Sequence, residues 1–431
     1  MDELSGSTQL LQVSTLRRLP ERNRSTGAGF SFALAKLQPA SSRSMGGLPQ
    51  PRGQTRGQAR RFVSPQKSPE NSHMSMNGIL AHILGTFLLA IVSAACTADS
   101  EQAKGNADPG TAPVELRIAG AGATFPQPLF ERWIGAYSQQ YPGVSFSYQG
   151  IGSGAGIDRF LAQDIDFSAS DAALSDNDQA LMGERGAVMV PITAGMVVLA
   201  YHLPGFEGLQ LSRQAVVGIF SGEIRSWNDA RIQETNPGVV LPDKNLTLVA
   251  RRDSSGTTLI MTNHLSAISN WWRTKGPGAG KRIDWPGDTM EVNHNEGVAQ
   301  RVKVSQGSIG YMGYEFAQRL GLSIMILENK AGEFVSPAPD AGTAALESAE
   351  SIPEDLRVFV PDPPGAGAYP IVGYTWLLLY GNYPDSKKAQ VLKDAVIWGL
   401  TQGQSIAWEM GYIPLPKQMV ALARAKVAAI D

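Results

Sequence analysis

The chain of 431 residues has a single cysteine, Cys96, which excludes an intramolecular disulfide framework. Histidine is nearly as scarce. His73, His82, His202, His264 and His294 are scattered and match neither HExxH nor a paired-ligand spacing, which argues against a chelated metal. Charge is also thin: Asp, Glu, Lys and Arg make up 18% of residues and the net charge is −2. Nucleic-acid binding, which needs a concentrated basic face, is therefore not expected. The apolar run Ile79–Ala95 is 17 residues long, slightly short of a membrane span and suited to the apolar region of an export signal.

The length suffices for two or three domains, and at 43% hydrophobic residues the composition is that of an ordinary soluble protein. The small net charge hides an asymmetry. Residues 1–73 carry 11 Lys and Arg against 4 Asp and Glu, a balance of +7, and the remainder carries 26 against 35, or −9. An acidic body that binds an anion must do so by local geometry and hydrogen bonds rather than by its overall field.

Residues 1–73 are rich in Ser, Arg, Gln, Gly and Pro and cannot bury enough apolar surface to fold. They read either as an acid-poor targeting extension or as a non-native stretch upstream of a true start at Met74 or Met76. The second reading is favoured, because an export signal works at an N-terminus. Residues 74–96 are assigned as that signal. Ser93, Ala94 and Ala95 lead directly into Cys96, which resembles a bacterial lipoprotein signal whose cysteine is acylated and becomes the mature N-terminus. Ser93 replaces the usual leucine, and no Lys or Arg lies between Met74 and the apolar run. A plain cleaved signal and an uncleaved anchor are the alternatives. Residues 97–112 read as a flexible tether.

From Val114 onward short apolar runs alternate with helical patterns. "VELRIAGAG", "VSFSYQG" and "DIDFSAS" are strand-like, and "VMVPITAGMVVLAYHL" is one or two long buried strands. In "PQPLFERWIGAYSQQY", Leu129, Phe130, Trp133, Ile134 and Tyr137 recur at helical spacing behind a proline pair. The β-α-β-α-β order indicates an α/β architecture with largely parallel sheets. The middle of the chain has its own set of strands and helices, and the tail returns with "YPIVGYTWLLLY" and two helices. Two lobes are therefore expected, lobe I from 113–203 plus 364–431 and lobe II from 204–363, with the ligand cleft between them.

Four polar turns follow strand-like runs: "GAGATFPQP" (Gly120–Pro128), "GIGSGAGI" (Gly150–Ile157), "SASDAAL" (Ser168–Leu174) and "RRDSSGTTL" (Arg251–Leu259). The first, second and fourth lead into helical patterns. Helix N-termini present unpaired N–H groups and partial positive charge. Glycine allows close backbone approach, and Ser or Thr adds a hydroxyl. Singly each turn reads as plain capping; together they read as an anion site. Strand alternation puts Thr247, Val249 and Arg251 on one face of "LTLVARRDSSGT". Arg251 can then offer its planar fork to an anion, while Arg252 points to solvent and Asp253 orients an arginine; the assignment depends on counting back from Ser-Gly-Thr, so Arg252 is the fallback. Asp171 would repel an anion unless that anion carries a proton; phosphate does near neutral pH and sulfate does not. The alternative role for Asp171 is a helix cap ahead of "AALSDNDQALM".

The segments "GAGATFPQPLFERW", "YQGIGSGAGI", "DFSASDAALSD", "RRDSSGTT" and "GSIGYMGYEFA" together resemble the signature segments of the phosphate-binding proteins of phosphate-specific ABC transporters. The resemblance runs from about Val114 to Ile430. It implies a two-lobed periplasmic binding protein fold of type II, with no cofactor and no metal. Residue by residue it implies phosphate contacts from Thr124, Phe125 (through its backbone N–H), Ser153, Asp171, Arg251, Ser255, Gly256 and Thr257. Ser254 departs from the family's usual glycine, which is expected to shift that turn slightly.

"GPGAGKR" lacks P-loop spacing, and Ile151 spoils "GIGSGAG" as a nucleophile elbow. The resulting expectation is an exported monomer, not an enzyme. It would sit in the periplasm or on the outer face of the cytoplasmic membrane, lipid-anchored at Cys96, and hand inorganic phosphate to an ABC permease and its ATPase. A binding protein for sulfate or molybdate, or more remotely a secreted phosphoesterase using Arg251 and Ser255, are the alternatives.

Overall fold

Residues 116–348 and 351–431 are described by a computed structural model. The extension 1–73, the export segment with Cys96 and the tether 97–112 lie outside the described residues. Strand β1 (Leu116–Gly122) leads to helix α1 (Gln127–Gln140), β2 (Val144–Gly150), α2 (Ser153–Leu161), β3 (Phe167–Ser170), α3 (Asp176–Leu181) and the 15-residue β4 (Ala187–Tyr201). The middle of the chain contributes β5 (Gln210–Leu211), α4 (Arg213–Phe220), α5 (Ala230–Gln233), β6 (Thr247–Arg251), α6 (Gly256–Ile268), α7 (Asn270–Thr274), β7 (Thr289–Val292), α8 (His294–Val304), β8 (Ser308–Gly313) and α9 (Tyr314–Arg319). It continues through β9 (Ser323–Ile324), β10 (Ile326–Glu328), β11 (Phe334–Val335) and α10 (Pro339–Glu347). The chain ends with β12 (Val372–Tyr380), α11 (Ser386–Leu400), α12 (Gly403–Glu409) and α13 (Lys417–Ala428).

Local chemistry accounts for the starts of the helices that matter here. Pro126 stands at the N-cap of α1 with a second proline in the first turn, where a missing N–H costs nothing. The helix then buries Leu129, Phe130, Trp133 and Tyr137 on one face. Ser255 caps α6 by accepting from the Thr258 N–H at 3.2 Å. Ser175 caps α3 in a capping box with Asp178, so Asp171 is not the cap of that helix.

Among the described residues nine strands form one sheet in the order β2-β1-β3-β12-β4-β8-β6-β7, with β9 also on β4. The sequence pattern predicts largely parallel pairing, but only the outer groups are parallel. β2, β1 and β3 run together, as do β8, β6 and β7. The middle is antiparallel: β12 opposes both β3 and β4, and β4 opposes β8. The reason is long-range. β12 arrives from the far end of the sequence and inserts between β3 and β4, and a local β-α-β pattern carries no trace of that partner.

β4 is shared. Its residues 187–196 pair with β12, and residues 197–201 pair with β8. Val197 N–H also donates to the Ile371 carbonyl at 2.9 Å, joining the two segments that pass between the outer groups. The strand directions then have a geometric result. β3 ends at Ser170, level with Pro191 through Trp376, and β8 ends at Gly313, level with Val197. The carboxyl ends of both parallel groups therefore point at each other across six residues of β4, about 20 Å of extended chain. Every strand-to-helix turn of both groups opens into that gap. Among the described residues no helix is long and apolar enough to cross a membrane.

The core is one continuous apolar cluster that runs through both groups. Phe160 of α2 is fully buried and stacks on Tyr380 of β12 with centroids 4.6 Å apart and planes 5° from parallel. Phe160→Ala is expected to lower stability by about 3–5 kcal/mol, measured by urea denaturation. A loss below about 1 kcal/mol would mean that this stack does not hold α2 to the sheet.

Candidate functional site

The four polar turns sit at the facing strand ends. Thr124 and Phe125 lie between β1 and α1, Ser153 is the first residue of α2, Asp171 follows β3, and Arg251 ends β6 just before Ser255, Gly256 and Thr257 open α6. Thr124, Ser153, Asp171, Arg251, Ser255 and Thr257 are all buried, none more than 3% exposed. Burial of so many polar groups requires partners for each.

Contacts across the gap bring the turns together. A Cβ on Gly256 would stand 2.6 Å from both Ser153 Oγ and Asp171 Cβ, so only glycine lets α6 approach β3 and α2 this closely. Gly154 N–H donates to the Ser254 carbonyl at 2.9 Å. Ser254, the departure from the family pattern, packs its side chain against Gly154, where a Cβ would collide with it. The missing side chain on one turn makes room for the extra one on the other, and Ser255 keeps its place as the α6 cap. The Phe125 ring is buried edge-on to Tyr412, and its carbonyl accepts from the Tyr412 hydroxyl at 2.8 Å.

Arg251 is the buried cation. Its Nε and Nη2 donate to the two Asp253 oxygens at 2.7 and 2.5 Å, and its N–H donates to the Tyr311 hydroxyl at 3.1 Å. Its Nη1 is buried and has no hydrogen-bond partner among the described residues. Arg252, by contrast, is exposed and donates to the Glu291 carbonyl at 2.9 Å. Burial alone would push the Asp253 carboxyl up. The Arg251 hydrogen bonds and charge, helped by the His294 N–H, outweigh burial and hold it below the ordinary range.

Asp171 is the opposite case. Burial pushes its carboxyl from 3.8 up to about 7, against the Thr375 hydroxyl and the Arg251 charge, which favour the ionised form. Thr375 Oγ1 donates to Asp171 Oδ1 at 2.7 Å. The pocket thus combines one free guanidinium nitrogen, four hydroxyls and helix N-termini with one carboxylate poised near neutrality. Such a set suits a small oxyanion that still carries a proton.

Three participants were not legible in the sequence: Thr375, Tyr311 and Asn295. Thr375 and Tyr311 sit inside buried strands, where they read as core. Asn295 is fully buried near the start of α8 and bonds to both Thr124 and Thr257. Its segment, "EVNHNEGV", is a fifth polar strand-to-helix turn, recognisable by position but lacking the Ser and Thr of the others.

Comparison with known proteins fits this architecture. A PBP superfamily domain matches residues 97–394. The phosphate-binding protein PstS of Pasteurella multocida is 34% identical over 312 residues, 72% of this chain and 89% of its own. PstS of Methanocaldococcus jannaschii is 35% identical over 370 residues, 80% of this chain and 94% of its own. Among solved structures, a high-affinity periplasmic phosphate-binding protein (PfluDING) bound with phosphate superposes with a TM-score of 0.61 at 22% identity, covering 72% of this chain and 93% of that one. A phosphate-binding protein from Stenotrophomonas maltophilia gives 0.57 at 20% identity, with the same coverage. These two likenesses establish the fold, two-lobed and α/β. The similarity of sequence over most of both chains establishes the family: the chain belongs to the PBP superfamily and, within it, to the PstS phosphate-binding proteins.

Proposed function

We propose that this chain captures inorganic phosphate outside the cytoplasmic membrane and delivers it to an ABC permease driven by an ATPase. The observation that carries the reading is the buried, unpartnered Nη1 of Arg251, whose charge acts on the buried Asp171 carboxyl, at facing turns that bury four hydroxyls. A cationic nitrogen left without an acceptor in a site closed to water is costly. An anion seated there removes that cost, and a monohydrogen phosphate can donate its own proton to Asp171. Sulfate has no proton to give and would face a bare carboxylate.

The anion is held by Thr124, Ser153, Ser255 and Thr257 through their hydroxyls, by Phe125 and Gly256 through backbone N–H groups, by Arg251 through Nη1, and by Asp171 as the single acceptor. Lobe I (113–203 and 364–431) and lobe II (204–363) each supply part of this shell, so binding closes them about the crossings near Val197 and Ile371. The chain acts as a monomeric binding protein rather than an enzyme. It is exported, and acylation of Cys96 keeps it at the outer face of the membrane.

Calorimetric titration is expected to give one phosphate site, with sulfate at least about a hundredfold weaker; comparable affinities for both would remove the selectivity argument. Arg251→Ala is expected to weaken phosphate binding by about a hundredfold, the scale of a lost charge-assisted hydrogen bond. Arg252→Ala should stay within about threefold. The reverse outcome would assign the anion to Arg252.

Asp171 also predicts a pH dependence. Its folded value, about 7, lies above the ordinary 3.8, so between those limits the ligand-free folded state binds more protons than the unfolded state. Its contribution to stability is fully present below pH 4 and is lost as pH rises through 7. Asp171→Asn should flatten that decline in thermal unfolding without phosphate and narrow the phosphate-to-sulfate ratio by about tenfold. An unchanged decline and ratio would reduce Asp171 to a packing role.

A further inference from the structure

A hydroxyl has one proton and two lone pairs, and its direction is set by what already occupies those lone pairs. At this site each of the four hydroxyls accepts from at least one N–H. Ser153 Oγ accepts from the Asp171 N–H at 3.3 Å, and Ser255 Oγ from the Thr258 N–H at 3.2 Å. Thr124 Oγ1 accepts from both Nδ2 and the backbone N–H of Asn295, at 2.9 and 3.3 Å, and Thr257 Oγ1 accepts from the same Nδ2 at 3.2 Å. Thr124 has both lone pairs filled and can offer only its proton, while Ser153, Ser255 and Thr257 each have one lone pair filled and their proton turned away from that donor.

Asn295 serves two of the four from a single amide. The orientation of that amide is fixed by chemistry: the Gly313 N–H lies 2.9 Å from Oδ1 and can only donate, so the NH₂ must face the threonines. The asparagine is fully buried, and its two partners come from different turns, β1–α1 and β6–α6. Its neighbour His294 has φ of +67°, a left-handed conformation that an ordinary side chain disfavours. From that position the His294 N–H donates to Asp253 Oδ1 at 3.1 Å, the carboxylate that grips Arg251. Two consecutive residues thus set both the cation and two of the hydroxyls.

We propose that Asn295 is a positioning residue for the anion. By filling lone pairs on Thr124 and Thr257 it turns both hydroxyl protons toward the ligand, and the same bonds tie the two facing turns in the closed arrangement. This inference rests on the phosphate reading above and adds to it a residue that never touches the ligand.

The test is a double-mutant cycle on the full chain, read as phosphate affinity by calorimetry, with thermal unfolding in the absence of phosphate as a folding control. Asn295→Ala is expected to weaken phosphate binding about tenfold or more. Added to Thr124→Val and Thr257→Val together, it should cost less than about twofold, because the hydroxyls through which it acts are gone. Asn295→Asp keeps the shape and the bond from Gly313 but can only accept. It would draw both hydroxyl protons away from the anion, so a loss exceeding that of alanine is expected, and a loss of about tenfold or more relative to the unsubstituted chain serves as the reading if alanine fails to fold. Losses that simply multiply around the cycle, or Asn295 variants that bind within about twofold of the unsubstituted chain, would overturn the inference while leaving the phosphate reading intact. Failure of the unsubstituted chain to bind phosphate would overturn both.

Discussion

The pairing of Arg251 with Asp253 is the constraint around which the site is arranged. The guanidinium is buried, with a side chain 1% exposed, and two of its three nitrogens are committed to a carboxylate of the same turn. Such a pair is nearly neutral from a distance, so a second anion entering the pocket gains little from bulk attraction. What remains is directional: one nitrogen, and whatever dipoles the surrounding backbone and hydroxyls can aim. On the phosphate reading proposed above, this is how an acidic chain builds an anion site. Attraction at long range is replaced by hydrogen-bond geometry at short range, and geometry depends on the fold being right to a fraction of an ångström.

The sheet supplies that geometry through one strand. Because β4 pairs with β12 along its first ten residues and with β8 along its last five, the two parallel groups are registered to a common backbone with their carboxyl ends opposed. Helix N-termini from both sides then face one gap. No single turn would make a binding site; three are ordinary helix starts, of which only that of α6 has a side-chain cap, and the Asp171 turn simply ends β3. Convergence makes the site, and convergence is a property of the register of β4 and β12.

That division also decides what could be read from the sequence. The strands, the helix starts and the four turns are local features, fixed by periodicity, glycine placement and capping residues, and their positions agree with the structure. The different surroundings of Arg251 and Arg252 followed from strand alternation, and the grip of Asp253 on an arginine from its nearness. The antiparallel middle of the sheet was not legible, since β12 is separated from β3 and β4 by well over a hundred residues and leaves no mark near them. Thr375, Tyr311 and Asn295 escaped for the same reason. Each matters through a partner distant in sequence, and a threonine or tyrosine in an apolar strand looks like core until that partner is seen.

Ser254 against Gly154 carries one more implication. The two residues meet where the jaws of the pocket come closest, and the room for a side chain there is shared between them. Bulk is a quantity to be divided: with Ser254 in place, a side chain at 154 would collide with its Cβ and Oγ. The fit of one lobe against the other is thus set jointly by two turns that lie a hundred residues apart.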